Sequence, residues 1–161
     1  MTVTITPLAV PMINDVIALM DQGAPFITAR TASDYWAYAT LFSSTCPVAH
    51  VDGGELAGAV MAFRSQDDPD QIYVQDVMVH PGHRRKGITS ALLGSVRAQA
   101  EAWGCARLWL TSEPDNRAAD AAWKALGWSN VPGDREVDGV HVVSDFKGPG
   151  KDRAVYELLL A

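Results

Sequence analysis

Arg84, Arg85 and Lys86 are three successive cations followed by Gly87, and a helical pattern opens at once, with Ile88, Ala91, Leu92, Ser95 and Val96 at helical spacing. Ahead of them a β-branched run through Val77 and Val79 ends at His80-Pro81-Gly82, where proline cannot donate to a ladder and glycine frees the backbone. The order is strand, tight basic turn, glycine, helix start. A helix N-terminus, here Ile88, Thr89 and Ser90, offers unpaired N–H groups and the positive end of a dipole, and a glycine lets an anion approach that backbone closely. Cations at a positive helix end are unfavourable unless an anion lies between them. The spacing therefore predicts a pyrophosphate cradle.

The elements that must position this turn fit one domain, residues 1–161, with nearly half the residues apolar and a fifth charged. A formal charge of −6 argues against a nucleic-acid partner; it suits a small anionic ligand at one basic turn and a cationic second substrate. The N-terminus lacks a signal-peptide pattern and no apolar run approaches membrane length, so a cytoplasmic protein without a membrane partner is expected. Cys46 and Cys105 lie in apolar stretches and read as reduced, buried thiols, and no metal is expected.

Along the chain, Val3 to Pro7 alternates as a strand, Pro11 to Met20 reads as a helix, and Ser33-Asp34 caps a second helix carrying Tyr35, Trp36, Tyr38, Leu41 and Phe42. Val48–Val51 and Leu56–Phe63 form a hairpin about Asp52-Gly53-Gly54. A strand over Ile72–Val79 feeds the basic turn and its helix. Ala106–Leu110 is the next strand, Asn116–Leu126 a helix stopped by Gly127, and Val137–Val143 and Val155–Leu160 are expected as closing strands.

The residues Val79-x-Pro81-x-x-Arg84-x-x-Gly87-x-Thr89 resemble the acetyl-CoA motif of the GNAT family of N-acetyltransferases, with Thr89 where the family has glycine or alanine. A second stretch, Asn116-x-x-Ala119-x-x-x-Trp123-x-x-x-Gly127-Trp128, resembles that family's Asn-x-x-Ala-x-x-x-Tyr-x-x-x-Gly-Phe. The resemblance covers essentially the whole chain. It implies an α/β (α+β) fold with a mixed, mostly antiparallel sheet flanked by helices, in the order β-α-α-β-β-β-α-β-α-β-β. It implies acetyl-CoA as cofactor, held by Val77, Val79, Arg84, Arg85, Lys86, Gly87, Ile88, Thr89 and Ser90, with Asn116 and Trp123 on its arm. Pairing of two copies through the closing strands, a homodimer, is a further implication.

The departures from the family pattern bear on proton transfer. Where the family often has a tyrosine that protonates the leaving thiolate, Trp123 has an indole N–H that donates a hydrogen bond but gives up no proton; it reads either as a thiolate donor or as apolar wall. Tyr73, Tyr156 or solvent stand as other acids. Asn116 reads equally as a plain helix cap. An alkyl amine with a pKa near 10 is neutral in only about one molecule in 10³ at pH 7, so acyl transfer needs a base or relay. Asp76, on the strand entering the turn, is the leading candidate, and Glu113 and His80 follow it; Asp76 also reads as a cap or an arginine's partner, and His80 as a former of the proline turn. His50 reads as ordinary structure.

Tyr35, Trp36, Tyr38 and Phe42, then Thr45-Cys46-x-Val48-Ala49 and Ile72-Tyr73-Val74-Gln75-Asp76-Val77, are similar to stretches of the diaminobutyrate acetyltransferases of ectoine synthesis, with Gln75-Asp76 replacing Trp-Gln. This likeness implies a small amino-acid-like or diamine substrate near Tyr35, Tyr38, Phe42, Gln75 and Asp76. The same aromatics also fit a helix packed into the core. Three readings compete: acetyl transfer to a small primary amine, acetyl transfer to a protein amine or an amine antibiotic, and a non-catalytic acyl-CoA-binding sensor.

Overall fold

The computed structural model describes residues 1–161. Strand β1 (Val3–Pro7) leads through a single tight turn carrying Pro11 into α1 (Ile13–Asp21), and α2 (Ala32–Leu41) follows. The hairpin β2 (Pro47–Val51) and β3 (Glu55–Arg64) precedes β4 (Gln71–Val79), α3 (Ile88–Ala102), β5 (Arg107–Ser112) and α4 (Arg117–Ala125). The tail holds β6 (Ser129–Asn130), β7 (Arg135–Val137), β8 (Val140–Val142) and β9 (Ala154–Leu159). Seven strands form one sheet in the order β1-β2-β3-β4-β5-β9-β6, and only the β4–β5 pair is parallel. The mixed, mostly antiparallel architecture matches the expectation. No helix is long and apolar enough to cross a membrane.

Two local expectations are corrected. The cap of α2 is Thr31, not Ser33-Asp34: Thr31 Oγ1 accepts the Asp34 N–H and the Asp34 carboxylate accepts the Thr31 N–H, both at 3.1 Å. This reciprocal box satisfies two end donors where a serine cap satisfies one. Val137–Val143 is not one closing strand. Asp138 (φ 50°) and Gly139 (φ 82°) turn left-handed in succession, so the segment folds back as the separate β7–β8 hairpin, and the two-residue β6 takes the sheet edge beside β9. Successive left-handed residues match the twist of a two-residue hairpin, and Asp-Gly is the dipeptide that supplies them.

The sheet separates two apolar layers. Leu8, Val16, Met20, Tyr35, Met61 and Met78 pack under α1 and α2; Val60, Ile72, Val74, Ile88, Leu92, Leu108 and Trp123 pack under α3 and α4. Gly58 lets α3 sit close to β3, since a Cβ there would lie 3.0 Å from the side chains of both Ile88 and Leu92. Cys46 and Cys105 are buried free thiols, and burial pushes the Cys46 thiol up to about 12.

One irregularity shapes everything near the basic turn. The β3–β4 register runs Ala62↔Val74 and then Met61↔Asp76, so Gln75 is the extra residue of a bulge. Side chains of a strand alternate between faces, and one inserted residue reverses the alternation. Ile72 and Val74 therefore face the α3 layer, as do Val77 and Val79 after the bulge, while Asp76 and Met78 turn to the α1–α2 side. The bulge also marks where β4 leaves β5. Their ladder ends at Val74↔Leu110, although β4 continues to Val79 and β5 to Ser112. Beyond that pair the two parallel strands splay.

Candidate active site

The basic turn occupies the C-terminal end of β4, beside the splay. Arg85 (φ 63°) and Gly87 (φ 77°) are both left-handed. Arg85 is strained there, since a non-glycine residue in this region costs about 1–3 kcal/mol, and such strain gathers at ligand clamps. Alternating handedness of this kind turns successive backbone N–H groups toward one concavity, the geometry of an anion nest. The first backbone bond into α3 is Ala91 N–H to Gly87 O at 3.1 Å, and no side chain caps the helix. The N–H groups of Ile88, Thr89 and Ser90 thus have no partner within the chain. A Cβ at Gly87 would meet nothing within 4 Å, so the space before the helix is open. Arg84, Arg85 and Lys86 are exposed around it. Free donors, a dipole end, cations and an open approach fit a pyrophosphate.

Neighbouring histidines hold the turn in shape. His80 Nδ1 accepts the Gly82 N–H at 2.9 Å, which assigns His80 to the proline turn rather than to a proton relay. His83 Nε2 lies 3.1 Å from Glu55 Oε2 and its Nδ1 lies 3.2 Å from Lys86 Nζ. Because Lys86 can only donate, His83 carries its proton on Nε2 and donates to Glu55. The loop is tied to the start of β3 through this chain.

On the same side of the sheet, α4 supplies the second sequence stretch. Asn116 Oδ1 accepts the Ala119 N–H at 3.1 Å and so caps α4; its amide NH₂ makes no bond to the protein. Trp123 is buried, lies against Trp128 with ring centroids 6.0 Å apart, and donates its indole N–H to Ser112 Oγ at 3.1 Å. The hydrogen that would have to point at a thiolate is spent on tying α4 to the end of β5. Tyr156 is likewise engaged: its hydroxyl donates to Asp120 Oδ1 at 2.5 Å, and burial together with the Asp120 carboxylate pushes the phenol well above its ordinary range. Of the tyrosines the sequence put forward as acids, Tyr156 has no proton to spare.

The opposite face of the splay holds the acidic group. Asp76 has a side chain only 8% exposed, and its Oδ2 has no hydrogen-bond partner. Burial raises its carboxyl above the ordinary carboxylate range, opposed by the cations of Arg30 and Lys147. Arg30 Nε stands 4.0 Å from Oδ2, too far for a hydrogen bond. Tyr73, on the same face, accepts a hydrogen bond from Lys147 Nζ at 2.6 Å and lies against Trp109, which Phe146 covers in turn. The loop after β8 is thereby folded over this face.

The expected substrate aromatics divide here. Tyr35 is fully buried, its hydroxyl accepting the Arg30 N–H at 3.0 Å, so it positions Arg30 rather than lining an open pocket. Tyr38 and Phe42 both pack on Phe63, with centroids 4.8 and 5.2 Å away, and remain half-buried. Burial raises the phenols of both Tyr35 and Tyr38. Gln75 is the bulge residue and half-buried. Glu113 lies elsewhere: with Asp115, Arg135, Asp152 and Arg153 it lines an open polar cleft of about 480 Å³ at the end of β5, and no hydrogen bond joins it to Asp76. Arg30 and Lys147 were not singled out from the sequence. The one available signal was that Arg30 is the only lysine or arginine ahead of Arg64.

A parallel strand pair that splays at a bulge, with an anion nest at one strand's end and a buried carboxylate at the bulge, defines an acyl-CoA-binding, acetyltransferase-type fold. The description "Acetyltransferase (GNAT) family" matches residues 17–128, and the chain belongs to that family. It is 34% identical over 113 residues to the mycothiol acetyltransferase of Kocuria rhizophila, covering 64% of this chain and 36% of that protein. It is 33% identical over 85 residues to the L-2,4-diaminobutyric acid acetyltransferase of Nocardia farcinica, covering 53% of this chain and 44% of that protein. The chain thus spans less than half the length of either relative. Among solved structures it is similar to the diaminobutyrate acetyltransferase of Paenibacillus lautus, in complex with L-2,4-diaminobutyric acid and coenzyme A. The TM-score is 0.79 at 20% identity, over 97% of this chain and 93% of that one, a likeness of fold.

Proposed function

We propose that the chain transfers the acetyl group of acetyl-CoA directly to the primary amine of a small amino-acid-like or diamine acceptor. The observation that carries this reading is Asp76: a buried carboxylate with a free oxygen, placed by the Gln75 bulge on the face of β4 opposite the α3 layer, just where β4 and β5 part. The two reactants then approach from opposite faces of the sheet and meet in the gap between the strands. The likeness to diaminobutyrate acetyltransferases supports the size and chemistry of the acceptor.

Acetyl-CoA supplies an activated thioester carbonyl; the chain supplies the rest. Arg84, Arg85, Lys86 and the N–H groups of Ile88, Thr89 and Ser90 bind the pyrophosphate, with Gly87 admitting it to the backbone. Val77 and Val79 lie on the strand edge left unpaired by β5 beyond Val74, along which an extended arm can lie, and the amide NH₂ of Asn116, which has no partner in the protein, would be available to it. Asp76 accepts the proton of the ammonium and frees the lone pair. It takes this role rather than Glu113 because it is desolvated and lies at the bulge. With Trp123 and Tyr156 committed to Ser112 and Asp120, neither protonates the leaving thiolate; a good leaving group near neutral pH, it takes its proton from solvent or from Tyr73, whose hydroxyl accepts from Lys147 and keeps its own proton.

A thiol-release assay against a panel of amines, run beside calorimetric titration of coenzyme A, tests the reading. Turnover on a small amino acid or diamine is expected. Coenzyme A binding with a silent small-amine panel but turnover on a peptide N-terminus or an aminoglycoside would move the acceptor class. Binding without any turnover would favour the sensor reading, and no binding at all would overturn the cradle.

A further inference from the structure

Two cations on the acceptor face lack a closed ion pair. Arg30 enters from the α1–α2 connection and Lys147 from the β8–β9 connection. The guanidinium of Arg30 donates no hydrogen bond to the protein, and the Oδ2 it approaches at 4.0 Å accepts none. This is an ion pair left open: close enough to be drawn together, too far to be closed. Lys147 donates to the Tyr73 hydroxyl and stands 5.2 Å from the ring centroid, on the face of β4 that Asp76 shares. Its charge, like that of Arg30, acts on the Asp76 carboxylate. One buried anion thus has an open cation 4.0 Å away and a second cation, from a separate loop, on the same face of β4.

A bare diamine carries only positive charge at neutral pH and would meet two fixed cations for a single carboxylate, an arrangement that like-charge contacts penalise. An acceptor with both an ammonium and a carboxylate matches the pattern. Its ammonium completes the free side of Asp76, and its carboxylate takes the unused donors of Arg30, whose planar fork suits a carboxylate bidentately. Building on the N-acetylation reading, we infer that the acceptor is a small amino acid and that Arg30 and Lys147 are specificity-determining residues that bind its carboxylate.

Full-length protein tests this with matched acceptors: L-2,4-diaminobutyrate, its carboxamide, and 1,3-diaminopropane, which lacks the carboxylate altogether. The expected kcat/KM for the acid exceeds that for either counterpart without the carboxylate by about tenfold or more, the worth of one charged hydrogen bond. Arg30→Gln and Lys147→Gln each lower kcat/KM for the acid by about tenfold through KM and narrow its ratio to the diamine, while Arg30→Lys restores part of that ratio. A wild-type ratio near one, a preference for the diamine, or a preference for peptide amines overturns the inference while leaving acetyl transfer intact. If no amine is turned over, calorimetric binding of the acid to the coenzyme A complex decides instead. Binding that Arg30→Gln weakens about tenfold upholds the carboxylate site and overturns the transfer reading; no binding overturns both.

Discussion

Replacing Asp76 by asparagine keeps the shape of a side chain only 8% exposed and removes its charge and basicity. The consequence for turnover follows from the acceptor's ammonium. With a pKa near 10, about one amine in 10³ is neutral at pH 7, and a positioned base is worth about 10²–10⁴ in rate. Asp76→Asn should therefore lower kcat/KM by about 10³ at pH 7. Raising the pH from 7 to 9 increases the neutral fraction about 100-fold, so the deficit should shrink to about tenfold. Stability should move the other way. Burial raises the Asp76 carboxyl in the folded protein above its ordinary 3.8, so the folded state holds that proton more tightly than the unfolded chain does. The associated stability is fully present below the unfolded value and is lost as pH rises through the folded one. At pH 7 the aspartate is a net burden on the fold, and Asp76→Asn should raise Tm; in acid, below the unfolded value, that advantage should vanish. The assays are a thiol-release pH–rate profile and thermal unfolding of both proteins at pH 3 and 7. A rate deficit that stays constant from pH 7 to 9 would refute Asp76 as the base. A variant less stable at pH 7 but not in acid would show that the carboxylate is held by contacts rather than strained by burial.

Arg84→Ala should weaken coenzyme A binding by about 1.5–3 kcal/mol with Tm unchanged, read by calorimetry at fixed salt; unchanged affinity would remove Arg84 from the cradle. Trp123→Phe deletes the indole bond to Ser112 and leaves a smaller ring in a buried site, so the lost bond and the cavity together should cost about 2–4 kcal/mol in chemical denaturation while turnover stays within a few-fold of wild type. A large loss of turnover with full stability would return Trp123 to the chemistry. Gly58→Ala sets a methyl 3.0 Å from Ile88 and Leu92, side chains in the first turns of α3. It should cost about 1–3 kcal/mol in stability and also weaken coenzyme A, because the helix that presents the N–H groups is pushed off the sheet; unaltered stability would mean α3 has room to shift.

What could be read directly was whatever lies consecutively in the chain. The strand, the proline turn, the three cations, Gly87 and the helix start are neighbours in sequence, and local steric rules shape an open turn with unpaired N–H groups there. The sheet's order of elements and the cap at Asn116 were legible for the same reason, and Asp76 stood out by its place on the strand entering the turn. Alternation masked the Asp138-Gly139 turn, whose left-handed pair splits an apparently continuous strand in two. Tertiary structure alone decided the rest. Gln75 becomes a bulge only against Met61 and Ala62 of β3, and that single inserted residue sends Asp76 to one face and Val77 and Val79 to the other. The indole of Trp123 is silent about its partner until α4 packs against the end of β5 and offers Ser112. Arg30 approaches Asp76, and Lys147 reaches Tyr73 on the same strand, because two loops far apart in the chain fold over one face of β4. Charge spacing along a sequence says nothing about such a meeting, since Coulomb attraction acts through space and the fold sets the distances.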